Sequence, residues 1–191
     1  TNNSDPKEHR MTTLDQLNGA YVIDPTHSQI GFVARHAMVT KVRGSFTEYS
    51  GQAVTGPDLA DAKIDVTVQM ASVDTRSADR DGHLRTGDFF SVEEFPEMTF
   101  TSTSVEKAGE DALRVTGDLT IKGTTRPITL DLDFQGAATD PYGNERIGFE
   151  GSTTINRKDY GVNFHAALES GGVLVSDKIQ LELEISAIKQ A

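Results

Sequence analysis

The sequence predicts an all-β protein, an extended eight-stranded antiparallel β-barrel with one short helix between strands. Three observations support this fold class. Apolar and polar residues alternate with a period of two through most of the chain, turn-forming residues separate the alternating segments, and no long amphipathic helix is available to cover a sheet. Closing the sheet on itself buries the apolar face of every strand and removes the free edges. A sandwich of two sheets is the alternative that the same pattern allows.

The first strands are defined by their apolar face. We place the eight strands at about residues 29–38, 42–54, 63–72, 98–106, 112–121, 128–138, 146–155 and 178–188. In the first of them, alternate residues from Ile30 to Met38 share one face, and Phe46 continues the pattern on the next strand. Strands of this length favour an elongated interior, because each residue adds roughly 3.3 Å along a strand.

The strands of the second half alternate most regularly. From Leu113 to Ile121, apolar residues and one glycine alternate with arginine, threonine and aspartate, and from Ile179 to Ile185 they alternate with glutamine and glutamate. Residues 122–127 and 140–144 are rich in glycine, proline and asparagine, which are typical of turns. The pattern therefore predicts antiparallel strands that each have one buried face and one solvated face.

The segment between the third and fourth strands departs from the alternation. Residues 78–86 can form about two turns of helix. A cluster of charged residues lies in this helix and just before it: Arg76, Asp79, Arg80, Asp81, His83 and Arg85. We interpret them as an ion-pair network that fixes the crossover, and a polar binding site is the alternative. The phenylalanines that follow either close one end of a pocket or anchor the helix to the barrel; they are Phe89, Phe90, Phe95 and Phe100.

The two least regular segments are the amino terminus and the last connection. Residues 1–18 are polar and aperiodic, so we expect a mobile arm, with one short turn at Leu14 to Leu17, before a barrel domain at residues 19–191. Residues 156–177 form an unusually long connection, and connections of that length often cover a site. Within it, residues 163–172 are a candidate gate.

Composition excludes several classes of function. The formal net charge of −11 argues against nucleic acid as a partner and disfavours docking on an anionic membrane. No apolar run approaches the length that spans a bilayer, so we expect no membrane insertion. The absence of cysteine excludes thiolate chemistry. Without a signal segment the chain as it stands predicts a cytoplasmic protein, or a periplasmic or secreted one if it has been processed.

Catalytic and metal-binding motifs are also missing. The chain has no Gly-x-Ser-x-Gly, no phosphate-binding glycine loop and no His-Glu-x-x-His motif. The histidines do not have metal-ligand spacing. We therefore expect no enzyme activity, no metal and no cofactor.

Several motifs resemble those of the YceI-like family, also called the polyisoprenoid-binding-protein-like family. The resemblance runs in order from Tyr21 to Ile188. Its segments are residues 24–28 (Asp-Pro-Thr-His-Ser), 42–46 (Val-Arg-Gly-Ser-Phe), 74–75, 80–85 (Arg-Asp-Gly-His-Leu-Arg), 88–90 (Asp-Phe-Phe), 95–96, 117–127, 148–150 and 155–161. It implies a lipocalin-like barrel with an apolar pocket that holds a long isoprenoid chain, in some members a quinone.

The resemblance implies that some of the inward residues contact a ligand. The candidates are Phe32, His36, Met38, Phe46, Phe89, Phe90, Phe100, Leu119, Ile121, Leu132, Phe149, Phe164 and Leu181. His36 is the candidate contact for a head group. The expected partner is a long-chain isoprenoid lipid, and a homodimer is possible. Two other hypotheses stay open: an enzyme that modifies such a lipid, and a filled barrel that serves as an interaction or stress protein without a lipid.

Overall fold

The computed structural model describes residues 12–165 and 175–191. Within them, one antiparallel sheet contains β1 (Gly19–Ile23), β2 (Gln29–His36), β3 (Thr40–Phe46), β4 (Tyr49–Thr55), β5 (Lys63–Gln69), β6 (Val73–Asp74), β7 (Glu97–Gly109), β8 (Ala112–Ile121), β9 (Thr124–Thr139), β10 (Glu145–Asn156) and β11 (Lys178–Lys189). One α-helix, α1 (Ala78–Leu84), lies between β6 and β7. Short 3-10 helices occur at Leu14–Gln16, Pro25–His27, Pro57–Leu59, Met70–Ser72 and Arg157–Tyr160.

The sheet closes into an eight-stranded barrel because β1 and β2 both pair with β11. Tyr21 lies opposite Lys189, and Phe32 lies opposite Leu181. Likewise β4 and β3 pair with β1 and β2, while β5 and β6 pair with β4 and β3. The segments β1–β2, β3–β4 and β5–β6 are therefore three barrel strands that are each broken once. The predicted eight-stranded antiparallel barrel is confirmed, and the two-sheet sandwich is not what forms.

The three breaks lie side by side in the sheet. Residues 25–27 and 70–72 form 3-10 turns, and residues 47–48 interrupt the strand between them. Asp24 stabilises the first break because its carboxylate accepts a hydrogen bond from the Thr26 amide. The breaks divide the barrel into two halves.

We name the two ends of the barrel by what lies there. The helix end contains α1, the β2–β3 and β8–β9 hairpins, and the end of β10 at Asn156. The far end contains the β4–β5 connection, the β7–β8 hairpin and the β9–β10 connection. At the helix end, Ser77 caps α1 by accepting a hydrogen bond from the Arg80 amide, and Lys122 donates to the Gly87 carbonyl.

The predicted first strand differs from the observed one at both ends. Its amino-terminal half, β1, was not predicted, and β2 stops at His36 rather than at residue 38. Ala37 and Met38 have φ angles of 51° and 63°, which turn the chain sharply into β3. Met38 therefore lies in a hairpin tip and is 61% exposed instead of facing the interior.

The segment before the barrel packs against it. Residues 1–11 of the predicted mobile arm lie outside the described residues. The expected turn is present as the 3-10 helix at Leu14–Gln16, and both Leu14 and Leu17 are buried in the core. The predicted gate lies mostly outside the described residues as well, because the structure describes residues 163–165 of it and not 166–172.

Candidate functional site

An apolar cavity extends from the middle of the barrel towards the far end. Its wall includes Phe46 and Met98 in the half towards the helix end, and Leu17 and Leu59 at the far end. The volume of the cavity is about 180 Å³. Almost every accessible atom of the wall is apolar, so the cavity suits a hydrocarbon ligand and offers it few hydrogen bonds.

The alternation of each strand builds this wall. On β8, Leu113, Val115 and Leu119 are buried and face the cavity, while Arg114 and Asp118 are exposed. Gly117 occupies an inward position on the same strand, and the ring of Phe100 lies across it where any Cβ would clash. The glycine therefore makes room for an aromatic wall residue.

The structure brings part of the predicted ligand set together. The predicted residues that line the cavity are Phe46, Phe100, Leu119, Leu132, Phe149 and Leu181. They come from β3, β7, β8, β9, β10 and β11, so they surround the cavity rather than form one side of it.

The predicted phenylalanines outside this group lie at the helix end. The Phe32 ring packs across Gly44 and lies 5.6 Å from the ring of Phe46, which lies 6.3 Å from the ring of Phe90. Phe89 is buried, and its ring is 4.8 Å from that of Phe164. These rings fill the barrel below Phe46 and form the floor of the cavity.

Ile121, at the end of β8, is also buried but does not line the cavity. It lies one inward place closer to the helix end than the cavity-lining Leu119. It belongs to the filled part of the core.

His36 and Met38 do not line the cavity, so the prediction that they face it is wrong. His36 is the last residue of β2, lies opposite Thr40, and is exposed. Met38 lies in the hairpin tip beyond it. The position of His36 does not support the role at a head group, because the strand leaves the interior before this residue.

The charged residues of the crossover hold α1 in place through Thr75. The Asp81 carboxylate is buried and accepts hydrogen bonds from the Thr75 amide, at 2.9 Å, and hydroxyl, at 2.6 Å. Arg80 donates to the hydroxyl and carbonyl oxygens of Thr75, and Arg85 donates to the carbonyl of Ala71. Among the described residues of this cluster the expected ion-pair network is therefore replaced by hydrogen bonds to a threonine and to backbone carbonyls.

One imidazole joins this cluster to the aromatic floor. The His83 ring meets the rings of Phe89 and Phe164 edge-on, each at 5.1 Å between centroids. Its Nε2 atom lies 2.8 Å from a carboxylate oxygen of Asp88. These contacts orient the helix on the barrel.

A buried arginine closes the helix end on the other side. Arg157 is 5% exposed and donates to the carbonyl oxygens of Ser176 at 2.9 Å, Val162 at 2.7 Å and Val175 at 3.4 Å. Burial lowers its pKa, and the nearby Asp177 carboxylate opposes that shift. The side chain ties together the two ends of the connection between β10 and β11.

The wall of the cavity at the far end contains residues that were not predicted from the sequence. Leu17, Tyr21, Ile23 and Leu59 all line it. The alternation of Tyr21 and Ile23 was a usable signal, whereas Leu17 and Leu59 lie in short 3-10 segments or next to them, where no period reveals their direction.

Few polar residues line the cavity, and Tyr49, which is buried in the core, is not among them. Tyr49 is buried, and within the described residues its hydroxyl has no hydrogen-bond partner. Burial raises its pKa, and the charge of Asp24 raises it further, so the phenol stays neutral. Outside the barrel wall, Arg146 donates to Asp24 at 2.7 Å and to Asp140 at 2.8 Å.

The rim of the far end is acidic. Its exposed carboxylates include Asp58 and Asp61 of the β4–β5 connection and Glu110 and Asp111 of the β7–β8 hairpin. A fifth, Asp15, pairs with Lys107 at 3.1 Å. A ligand with an anionic head group would meet like charge here.

Two further properties concern the part of the chain that is described. None of its helices is long and apolar enough to cross a bilayer. It also contains no group of three or more histidine, aspartate or glutamate side chains placed to hold a metal ion.

Comparison with known proteins matches this barrel to one family. A family model described as the YceI-like domain matches residues 21–187. A UPF0312 protein of Staphylococcus aureus is 39% identical over 165 residues, which cover 85% of this chain and 93% of that protein. A UPF0312 protein of Staphylococcus epidermidis is 40% identical over 162 residues, covering 83% and 91%.

Solved structures agree. The YCEI protein of Campylobacter jejuni is 34% identical, with a TM-score of 0.70 over 82% of this chain and 90% of that one. BcnA of Burkholderia cenocepacia has a TM-score of 0.73 at 24% identity, covering 86% and 98%. A polyisoprenoid binding domain from Saccharophagus degradans, implicated in plant cell wall breakdown, has a TM-score of 0.69 at 20% identity, covering 89% and 98%. The last two show the shared fold alone.

Proposed function

We propose, from the premise that this chain belongs to the YceI-like family, that it binds and carries one long-chain apolar lipid, a polyisoprenoid or an isoprenoid quinone, inside the barrel. One observation carries the proposal. The cavity between the aromatic floor and the far end has an almost wholly apolar wall. Burial of apolar surface contributes roughly 25 cal/mol per Å² without demanding any direction, so such a wall can hold a flexible hydrocarbon chain.

The shape of the cavity supports a long ligand. It extends from Phe46 to Leu17 and Leu59 at the far end. A prenyl chain that extends along the barrel axis therefore puts its tail on the aromatic floor and its head group at the rim. The acidic rim favours a neutral head group, such as a quinone or an alcohol, over a phosphate.

Support for a carrier rather than an enzyme comes from the same wall. Chemistry on a lipid needs a nucleophile, or an acid and a base, close to the reacting atoms. The cavity-lining side chains of the described residues are overwhelmingly aliphatic and aromatic. The polar cluster around Asp81 is occupied in holding α1. We therefore infer sequestration and release with no cofactor beyond the lipid.

The first test is mass spectrometry of an organic extract of protein purified without detergent. We expect about one prenyl lipid per chain, with a neutral head group. If the extract contains none, the chain still offers a direct assay, because it has no tryptophan. In the Phe46→Trp variant, the new indole would lie in the floor of the cavity and its emission should shift when prenyl lipid is added.

A filled variant and a matched control separate binding in the cavity from binding elsewhere. Val115 is fully buried and faces the cavity, whereas the next residue, Thr116, lies on the outer face of the same strand. We expect Val115→Phe to reduce lipid occupancy by at least tenfold and Thr116→Phe to leave it unchanged. A clean extract together with no response to added prenyl lipid would exclude the carrier and favour an interaction protein.

A further inference from the structure

The tip of the β2–β3 hairpin exposes adjacent apolar residues. Met38 is 61% exposed and Val39 is 76% exposed, and they project at the helix end beyond the last paired residues of the barrel. Large apolar side chains that project together from a hairpin lose contact with water only when something covers them. They are therefore candidates for insertion into a partner.

The same hairpin is basic in a strongly acidic chain. The formal net charge of the protein is −11, yet residues 25–47 contain no aspartate or glutamate. They contain Arg35, Lys41 and Arg43, which flank the apolar tip on both strands and are exposed. The local charge is thus opposite to the charge of the molecule.

The positions of the three cations in the sheet favour binding of an anionic partner. Arg35 lies directly opposite Lys41 in the sheet, and Arg43 lies two residues further along the same face. Like charges in directly opposed positions destabilise a sheet. Among the described residues no carboxylate lies within 4.0 Å of either Arg35 or Lys41, and Arg43 makes an exposed pair with Glu182 at 3.3 Å. An anion placed between Arg35 and Lys41 would remove the repulsion.

We infer that the hairpin of residues 35–43, which we name the basic hairpin, docks the protein on the surface of an anionic phospholipid bilayer. Met38 and Val39 enter the boundary between head groups and acyl chains, while Arg35 and Lys41 contact lipid phosphates. Exposed carboxylates lie at both ends of the barrel, among them Asp79 and Asp88 at the helix end and Asp58 and Asp61 at the far end, so the contact is confined to the hairpin. The net charge disfavours anionic membranes for the molecule as a whole, but not for this surface.

The test is co-sedimentation of the full chain with vesicles of phosphatidylcholine, alone or with about one-third phosphatidylglycerol. We expect binding to the anionic vesicles only, weakening as salt is raised, because the contact is electrostatic. The double variant Arg35→Gln/Lys41→Gln should bind about 25-fold more weakly, since each cation near such a surface contributes roughly fivefold. Met38→Ser/Val39→Ser should weaken binding by about tenfold or more and keep its salt dependence.

The control removes the same number of cations elsewhere. Arg114 and Lys189 are surface cations away from the hairpin, paired with Asp131 and Glu145. The Arg114→Gln/Lys189→Gln variant should bind anionic vesicles as the wild type does. All three double variants replace exposed or partly exposed side chains, and their circular dichroism spectra and melting should match those of the wild type.

Three results would overturn the inference. Wild-type protein that does not sediment with anionic vesicles has no such surface. An equal loss in the control and the hairpin variants would assign binding to overall charge. A dimer in solution that the hairpin variants convert to a monomer would assign the surface to a second copy of the chain. Lipid loading in solution does not involve the hairpin, so occupancy of the cavity in these variants tests the proposed function separately.

Discussion

The two ends of the barrel are closed by different chemistry. At the helix end, aromatic rings pack at 4.8–6.3 Å from one another and fill the interior, and the buried side chains of Asp81 and Arg157 form hydrogen bonds. Towards the far end, the interior is an apolar cavity behind an acidic rim. The same alternating strands run through both regions. At the helix end, directional contacts fix the interior. Towards the far end, apolar surface lines an unfilled space.

The comparison shows how a small barrel tolerates a cavity. Unfilled apolar space costs stability because its lining loses packing contacts. The helix end offsets that cost with buried hydrogen bonds, such as those that Arg157 donates to the carbonyl oxygens of Val162 and Ser176. We expect stability to reside mainly in the helix end and ligand capacity in the cavity.

Removal of Arg157 is the strongest test of whether stability resides in the helix end and ligand binding in the cavity. In Arg157→Met, the carbonyl oxygens of Ser176 and Val162 lose their buried donor, and such groups cost about 1–3 kcal/mol each when left without a partner. We expect the free energy of unfolding in urea to fall by about 3 kcal/mol. Lipid occupancy per folded molecule should not change, because Arg157 does not line the cavity.

The neighbouring Lys158 is the control for that variant. It is exposed and pairs with Asp177 at 3.3 Å, the carboxylate that also lies 3.6 Å from Arg157. Lys158→Met should change the free energy of unfolding by less than about 0.5 kcal/mol. If the two variants are equally stable, the buried arginine does not hold the helix end.

A second prediction compares the two regions on one strand. Leu119 and Ile121 are both buried on the inner face of β8, but only Leu119 lines the cavity. Truncation beside an existing cavity loses mainly the transfer free energy, whereas truncation in a filled core also creates a new void. We expect Ile121→Ala to destabilise by about 3–4 kcal/mol and Leu119→Ala by about 2 kcal/mol, measured by urea unfolding without ligand.

The opposite order would mean that the region around Ile121 can collapse and that the helix end is less rigid than its packing indicates. A useful internal check is Thr120→Ala, between the two on the outer face. It should change the free energy of unfolding by less than about 0.5 kcal/mol.

How far the sequence predicted this structure depends on how local the signal was. The regular alternation of β8 and β11 predicted both the strands and their inward residues, because a period of two determines the face of every side chain. The same rule failed at Met38. There Ala37 and Met38 adopt positive φ angles and end the strand, and no glycine or proline in the sequence predicts this turn. It also failed at Leu17 and Leu59, which reach the cavity from short 3-10 segments.

The position of the floor was beyond the sequence for a different reason. Phe46 lines the cavity while Phe32 and Phe90 lie beneath it, although all three fit an inward or core pattern. Which ring faces free space depends on how three broken strands and the segment after α1 pack together. That arrangement is set by contacts between residues far apart in sequence.

The smallest predicted effect is the loss, in acid, of the stability that Arg146 contributes through Asp24 and Asp140. The hydrogen bond from Arg146 holds the pKa of Asp24 well below its ordinary value, with help from Thr26. Burial raises the pKa of Asp140, but hydrogen bonds from Arg146, Asn144 and Tyr142 outweigh it and lower that pKa as well. These carboxylates contribute stability that is present above their ordinary pKa near 4 and is lost as the pH falls below it.

Arg146→Met should therefore be less stable than the wild type at pH 7 and pH 5, by a few degrees in melting temperature, and the gap should narrow steadily towards pH 2. Arg114→Met is the comparison, because Arg114 and Asp131 form an exposed pair and the Asp131 carboxylate has fewer partners. Its gap from the wild type should be small at every pH. A gap for Arg146→Met that stays constant between pH 7 and pH 2 would show that the arginine acts through packing. In that case the ion pairs of Arg146 would add no acid-sensitive stability, and its contribution would resemble that of a packing residue.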